Sequence, residues 1–389
     1  MKKIFIVILC LFFLTGCWDR KELPQIGIVA AIAVDKDPEN GEYIFTSQIL
    51  KPAAESTQNP SPEKPFLMVS TTGKTIFDAI RKTNQIVDRK GFYAHNKVII
   101  LSEEIAKDGL LSILDSFQRG KEIRGYVWIC IAKGTSARDI LKIRSGGVSR
   151  VPANFLKSVI ENTKYQLNST SINMLKFYKE TLGSGIDPVV GVLSIEERID
   201  NSQEKIVKLS GGAVFKVDKL AGFLNESETR GYRWVSGDIE SGAISLPSPI
   251  EASKFVSVEV NKMDAKIIPE VIGNHIGFTI DISEDGVVTE QQATSIFKDS
   301  KQLVEFLTTL EKENEKVIEE EVNKVIEKAK GFQTDIFGFG EALNKKYPET
   351  WIQVKDDWPS KFAEVPFSVN VKVNIKSSGL MKGPFKPVE

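Results

Sequence analysis

Phe367-Ser368-Val369-Asn370-Val371-Lys372-Val373-Asn374-Ile375-Lys376 alternates apolar and polar residues without a break. Successive side chains of an extended chain point to opposite faces, so this period of two specifies a strand with one face on a core and the other in water. Such a strand needs a sheet to join and a layer to cover it. Ahead of it lie three apolar stretches, residues 255–260, 265–271 and 276–282, spaced for an antiparallel meander. A long helical stretch follows, in which Leu303, Leu307, Leu310, Val317, Val322, Val325 and Ala329 fall near one stripe. It is Glu-rich at its start and Lys-rich at its end, as the helix dipole favours, and is expected to stop at Gly331. A charge-laden helix can serve as a coiled-coil partner, but only one end of this stripe is strongly apolar. Packing on the sheet with a solvated outer face is the expectation. Residues 250–389 therefore read as a C-terminal domain, an antiparallel sheet plus a long helix at about 300–330.

The chain before it mixes strand and helix. Residues 26–34 are continuously apolar and residues 43–50 alternate, and the turn-rich 35–41 between them makes a hairpin. Residues 51–65 are a Pro-rich loop. Residues 66–71 lead to a helix at 76–87, opened by Thr75 with Asp78 three residues on as a capping box. Gly73-Lys74-Thr75 has the ending of a phosphate loop, but Met68 stands where its first glycine is needed, and the cap is the better reading. Strands are expected at 97–101 and 126–131, and helices at 103–119, 136–143, 152–162 and 172–182, giving an N-terminal α+β domain over 26–200. Short strands at 206–209, 213–217 and 220–224 follow, then a helix capped by Asn225. Residues 236–249, rich in Gly, Ser and Pro, read as a hinge, so 201–249 is taken as a small middle domain. The fold class is α+β, a three-domain ectodomain with mixed or antiparallel sheets and packed helices.

Composition excludes more than it indicates. A formal net charge of -1 gives no reason to expect a nucleic-acid partner. His95 and His275 lie at no metal-ligand spacing from each other or from a cysteine, and His95, at the mouth of a strand, suits a structural hydrogen bond. Glu103-Glu104 and Glu196-Glu197 are neighbours in sequence, which do not face each other on a helix. Phe337-Gly338-Phe339-Gly340 lacks the third glycine of a dinucleotide fingerprint and reads as a loop admitting close backbone approach. No Gly-x-Ser-x-Gly elbow occurs. The expectation is no catalytic residue, no metal, no cofactor and no enzyme. Arg230 and Trp234, four apart on a helix, are candidates for a partner interface, weighed against a pair that covers domain core.

The amino terminus carries the most specific signal. Lys2 and Lys3 precede an apolar run over residues 4–14, well short of the roughly 20 residues a spanning helix needs. Leu14-Thr15-Gly16-Cys17 follows at once. This resembles the lipobox of bacterial lipoproteins, which implies a signal peptide over 1–16, cleavage between Gly16 and Cys17, a diacylglyceryl thioether on Cys17 and acylation of its new amine. Two or three acyl chains hold a protein on a bilayer effectively permanently. Residues 17–25 are then a lipidated tether, and Cys130, inside an apolar run, is left as a buried small hydrophobe.

Cys17-Trp18-Asp19-Arg20-Lys21-Glu22-Leu23 resembles the start of the Ger(x)C spore-germination lipoproteins, and residues 26–35 match its continuation. Residues 95–100 and 212–220, Glu228-Thr229-Arg230-Gly231 and Asp356-Asp357-Trp358-Pro359 resemble that family's later blocks in its order. Tyr232 and Arg233 stand where aliphatic residues are usual. The resemblance implies a non-catalytic C subunit of a nutrient germinant receptor on the outer face of the spore inner membrane, partnered by a membrane-embedded A subunit and a transporter-like B subunit. A lipid-anchored solute-binding protein of a transporter is the alternative, for which two doubly wound lobes would be expected. A tethered wall hydrolase has little support in the residues.

Overall fold

In the computed structural model the described residues are 25–51, 64–120, 123–143, 149–198, 204–237, 239–293, 297 and 299–376. They build two sheets with helices against both. The first sheet is formed from β1 (Ile26–Lys36), β2 (Tyr43–Leu50), β3 (Phe66–Gly73), β4 (Lys90–Phe92), β5 (Val98–Ser102), β6 (Trp128–Ala132), β7 (Ile172–Asn173), β8 (Val189–Glu197), β9 (Lys205–Lys216) and β10 (Lys219–Leu224). Its path runs β10-β9-β8-β6-β5-β1-β2-β3, with β4 against β1 and β7 against β6. The strands β1, β5, β6 and β8 are parallel, and antiparallel pairs close both ends, β2–β3 at one and β9–β10 at the other. A parallel centre must be covered on both faces, which accounts for the unbroken apolar run of β1. Val29, Ile32 and Val34 enter one core while Ala30, Ala31 and Ala33 enter the other, the alternation being shifted once by an irregularity at Val29/Ala31.

The covering helices are α1 (Ile76–Thr83), α2 (Glu103–Asp108), α3 (Leu111–Arg119), α4 (Ala137–Lys142), α5 (Pro152–Glu161) and α6 (Met174–Leu182). Thr75 and Ser136 cap α1 and α4 through the N–H groups of Asp78 and Asp139. Residues 103–119 are two helices and not one, because Gly109, at φ 123°, breaks the run.

The expected middle domain is corrected by the topology. Lys205–Lys216 is one strand, paired to β8, and Gly211 at φ 79° lies inside it as an irregularity and not a turn. β9 and β10 thus extend the first sheet. Nor is 236–249 a hinge throughout: β11 (Gly242–Pro247) lies within it and opens the second sheet, after helix α7 (Glu226–Ser236).

The second sheet has the order β11-β12-β13-β14, with β12 (Phe255–Ile272), β13 (His275–Gln291) and β14 (Phe367–Ile375). The three-strand meander expected here is a two-strand hairpin, β12 against β13, because irregularities at 257/258 and 260/262 absorb the polar interruption without ending the ladder. β14 joins parallel to β13, reached by a crossover of α8 (Ser300–Phe332), α9 (Phe339–Lys346), α10 (Pro348–Val354) and α11 (Trp358–Glu364). The outward N–H groups of β14 at Val373 and Ile375 donate to Glu315 and Glu311 of α8, at 3.1 and 2.8 Å, so this sheet edge is blocked by side chains. α8 buries Phe306, Leu310, Asn314, Ile318, Val322, Val325, Ile326 and Ala329. It runs past Gly331 and ends with Gln333 in the left-handed region at φ 53°.

Candidate functional site at the junction of the sheets

Two polar clusters join the sheets. The first lies where α7 meets α8. Asn225 and Glu228 form a reciprocal capping box at 2.9 and 2.8 Å, and Glu228 also accepts from Lys328 Nζ of α8 at 2.6 Å. Burial works against the Glu228 carboxylate, but Lys328 and the Asn225 N–H outweigh it and hold its carboxyl below the usual range. One turn on, Gly231 lets the helices touch: a Cβ there would lie 2.3 Å from the Glu321 carbonyl oxygen. Arg230 Nε donates to both carboxylate oxygens of Glu321 at 2.8 Å, and Trp234 Nε1 donates to Glu321 Oε2 at 3.1 Å. Trp234 is fully buried. Arg230 and Trp234 share a helix face and that face is turned onto α8, the arrangement of the core-covering pair weighed against a partner interface: Arg230 Nε and Trp234 Nε1 both donate to Glu321 within the chain.

The second cluster is built on Asp335, also buried. Its Oδ1 accepts the N–H groups of Gly338 and Phe339 at 2.9 and 3.0 Å, and its Oδ2 those of Gly340 at 2.8 Å and of the Trp358 indole at 2.9 Å. The Phe-Gly-Phe-Gly stretch is therefore a tight turn wound around a carboxylate, with Gly338 at φ 80°. Gly340 packs against Gly185, and a Cβ on Gly340 would stand 2.6 Å from its Cα. The backbone of Asp335 is bound in both directions by Asp187: its N–H donates to Asp187 Oδ2 at 3.0 Å, and its carbonyl accepts the Asp187 N–H at 2.8 Å. The other Asp187 oxygen accepts from Val217 at 2.8 Å. Burial pushes the Asp335 carboxyl up to about 6 despite these donors. Around it Phe278 stacks on Phe339 at 4.5 Å and Trp351 meets Trp358 edge-on at 5.2 Å.

A third polar contact lies within the second sheet's core. Asn314 Nδ2 on α8 donates to Glu284 Oε2 on β13 at 2.8 Å, and burial pushes the Glu284 carboxyl up to about 7.

The remaining expected residues fall apart in space. His95 packs its ring on Phe92 in the first sheet, and His275 sits opposite Ile272 at the tip of the β12–β13 hairpin. Cys130 is buried in β6 and burial raises its thiol far above the usual range, as suits an inert packing residue. Glu103 pairs with Lys107 and Glu196 with Lys208. Among the described residues no His, Cys, Asp or Glu group could hold a metal ion. Cys17 and Gly16 lie outside the described residues. Sequence reading missed Glu321, Asp187, Asp335 and the Glu284–Asn314 pair. Two signals were present: an aspartate three residues before a glycine in a turn, and an asparagine at four-residue spacing from Leu310 and Ile318 inside the apolar stripe.

Two family models match the chain in succession. Residues 19–195 match the spore germination protein N-terminal domain, and residues 210–379 match the spore germination B3/GerAC-like C-terminal family. The chain belongs to the Ger(x)C family. Spore germination protein KC of Bacillus subtilis (strain 168) is 27% identical over 98% of this chain and 96% of its own length. Spore germination protein YndF of the same strain is 28% identical over 97% and 96%. A crystal structure of the GerBC protein superposes with a TM-score of 0.58 at 22% identity, covering 89% of this chain and 96% of that one, and so shares the fold. Within this Ger(x)C chain the blocks that carry the resemblance now have structural work. Glu228, Arg230 and Gly231 make the α7–α8 contact, and Trp358 closes the Asp335 turn. Its relatives are spore germination proteins, which gives the chain a role in germination.

Proposed function

We propose that this chain is a non-catalytic lipoprotein subunit of a membrane-bound nutrient germinant receptor, required for germination in response to nutrients. The observation that carries the reading is the adjacency of two signals: the lipobox ends at Cys17, and the first germination-family match begins at residue 19 and is followed by the second to residue 379. In this reading Gly16–Cys17 is cleaved and Cys17 is lipidated, which places the folded chain on the outer face of the spore inner membrane beside the receptor's A and B membrane subunits. The buried carboxylates support a structural, non-enzymatic role, since Asp335, Asp187 and Glu321 each spend their acceptor oxygens on backbone or side-chain donors of the chain itself. A ten-strand sheet joined to a four-strand sheet is unlike the two doubly wound lobes of a solute-binding lipoprotein.

Deleting the gene in a strain lacking its paralogues tests the proposal. Germination with nutrients is expected to be lost or slowed while germination by non-nutrient triggers is retained. An unchanged nutrient response would refute it, as would turnover of a substrate by the purified protein.

A further inference from the structure

We infer that the surface made by the outer side of α1, the turn that follows it and β4 lies against an anionic bilayer. The inference rests on the lipidation of Cys17 proposed above. β4 runs parallel to the first residues of β1, with Lys90 opposite Ile26 and Gly91 opposite Gly27. This is where the described chain begins. Gln25 is eight residues beyond Cys17, and a chain of that length spans at most ~28 Å. Whatever surface surrounds Ile26 is therefore held close to the lipid.

That surface has the chemistry of a membrane contact. Ile86, between α1 and β4, is 62% exposed, and Phe77 of α1 is 54% exposed. Arg81 lies over the Phe77 ring, 5.0 Å from its centroid. Between α1 and the end of α3 runs an apolar groove of about 140 Å³, floored by Ile80, Tyr93 and Phe117 and flanked by Arg81 and Lys90. Residues 81–90 carry Arg81, Lys82, Arg89 and Lys90 against the single acid Asp88, a surplus of three positive charges in a chain whose formal net charge is -1. Lys82 is engaged by Asp78 at 3.0 Å. Arg81, Arg89 and Lys90 are exposed and form no ion pair among the described residues. Exposed apolar side chains ringed by cations insert at the headgroup boundary while the cations meet lipid phosphates. Two forces thus act together at the point to which the anchor delivers this face.

The experiment uses the full lipidated protein in vesicles of phosphatidylglycerol and phosphatidylcholine. Apart from Cys17 the mature chain has one cysteine, Cys130, which is buried, so a single introduced thiol is labelled selectively. An environment-sensitive fluorophore is placed through Ile86→Cys, through Phe77→Cys, and through Ile272→Cys at the exposed hairpin tip as a reference. Labels at 86 and 77 are expected to shift to the blue and to be quenched by spin-labelled lipids, while the label at 272 is not. Arg89→Ala and Lys90→Ala are each expected to lower the ratio of quenched to unquenched label about fivefold, and vesicles of phosphatidylcholine alone are expected to lower it further. Vesicle-bound protein whose labels at 86 and 77 remain as wet as that at 272 overturns the inference. So do labels protected only when the membrane subunits are added, which would make this a protein interface. Protein that fails to sediment with the vesicles overturns the anchoring of Cys17 instead.

Discussion

Glu284→Gln offers the sharpest test of how the second core is held. Glu284 is 2% exposed and Asn314 fully buried. Asn314 donates to one Glu284 oxygen at 2.8 Å, leaving Glu284 Oε1 and Asn314 Oδ1 without a donor. Both orphans are acceptors, so one proton on the carboxyl supplies the missing donor and closes an acid–amide pair. Burial favours that neutral form, with the Asp285 charge adding to it and Asn314 opposing, and the carboxyl titrates near 7 instead of 4.5. The sign follows from the direction. The folded chain keeps this proton to higher pH than the unfolded chain, so stability is full below about 4.5, falls as pH rises through the window and is lost above about 7. Each tenfold change in proton affinity is worth ~1.4 kcal/mol, so the loss is about 3 kcal/mol. Gln replaces the acid with a neutral amide that can pair with Asn314 in both directions. Urea unfolding at pH 5, 6, 7 and 8 should therefore show the variant close to wild type at pH 5 and ahead of it by about 2–3 kcal/mol at pH 8. Asp335 and Glu180, both pushed up to about 6 by burial, steepen the two curves equally and cancel in the difference. Parallel curves for the two proteins would refute the reasoning.

Three further outcomes are expected. Gly231→Ala places a methyl against the Glu321 carbonyl and should cost about 1–3 kcal/mol in unfolding free energy, whereas alanine at Gly331, whose surroundings are open, should be tolerated. Trp358→Phe keeps an aromatic side chain but loses the indole N–H that donates to Asp335 and part of the ring's volume; a loss of at least about 1–3 kcal/mol is expected, and a double-mutant cycle with Asp335→Asn should show that the two effects are not additive. Cys17→Ala should leave an unprocessed, unlipidated precursor with impaired germination, checked by mass spectrometry of the membrane fraction and by nutrient response.

What could be read from the sequence was what neighbours decide. Thr75, Ser136 and Asn225 announce helices because a cap is a contact across three residues. The alternation of β14 is legible for the same reason, and all of its polar members face water. The parallel pairing of β14 was not legible, since a strand's own pattern does not name its partner or direction. The interruption of β12 near Lys262 looked like a turn because a polar run ends a short strand as readily as it rides the wet face of a long one. Glu321 was hidden among the many glutamates of α8; only the fold shows which of them lies under Arg230 and Trp234.

The two junctions have a mechanical consequence that neither has alone. A single polar contact between two packed sheets is a pivot, about which small rotations cost little. Here α7, which follows the first sheet in the chain, is fixed to α8 through Glu321 and Glu228, and the turn before β8 is fixed through Asp187 to the turn around Asp335. Rotation about either contact strains the other, and Gly231 and Gly340 sit at those contacts with no room for a Cβ. Relative motion of the sheets therefore requires breaking buried bonds to a carboxylate, each worth about 1.5–3 kcal/mol. The two sheets move as one body, so a displacement at the β1–β4 end of the first reaches the β12–β13 hairpin of the second.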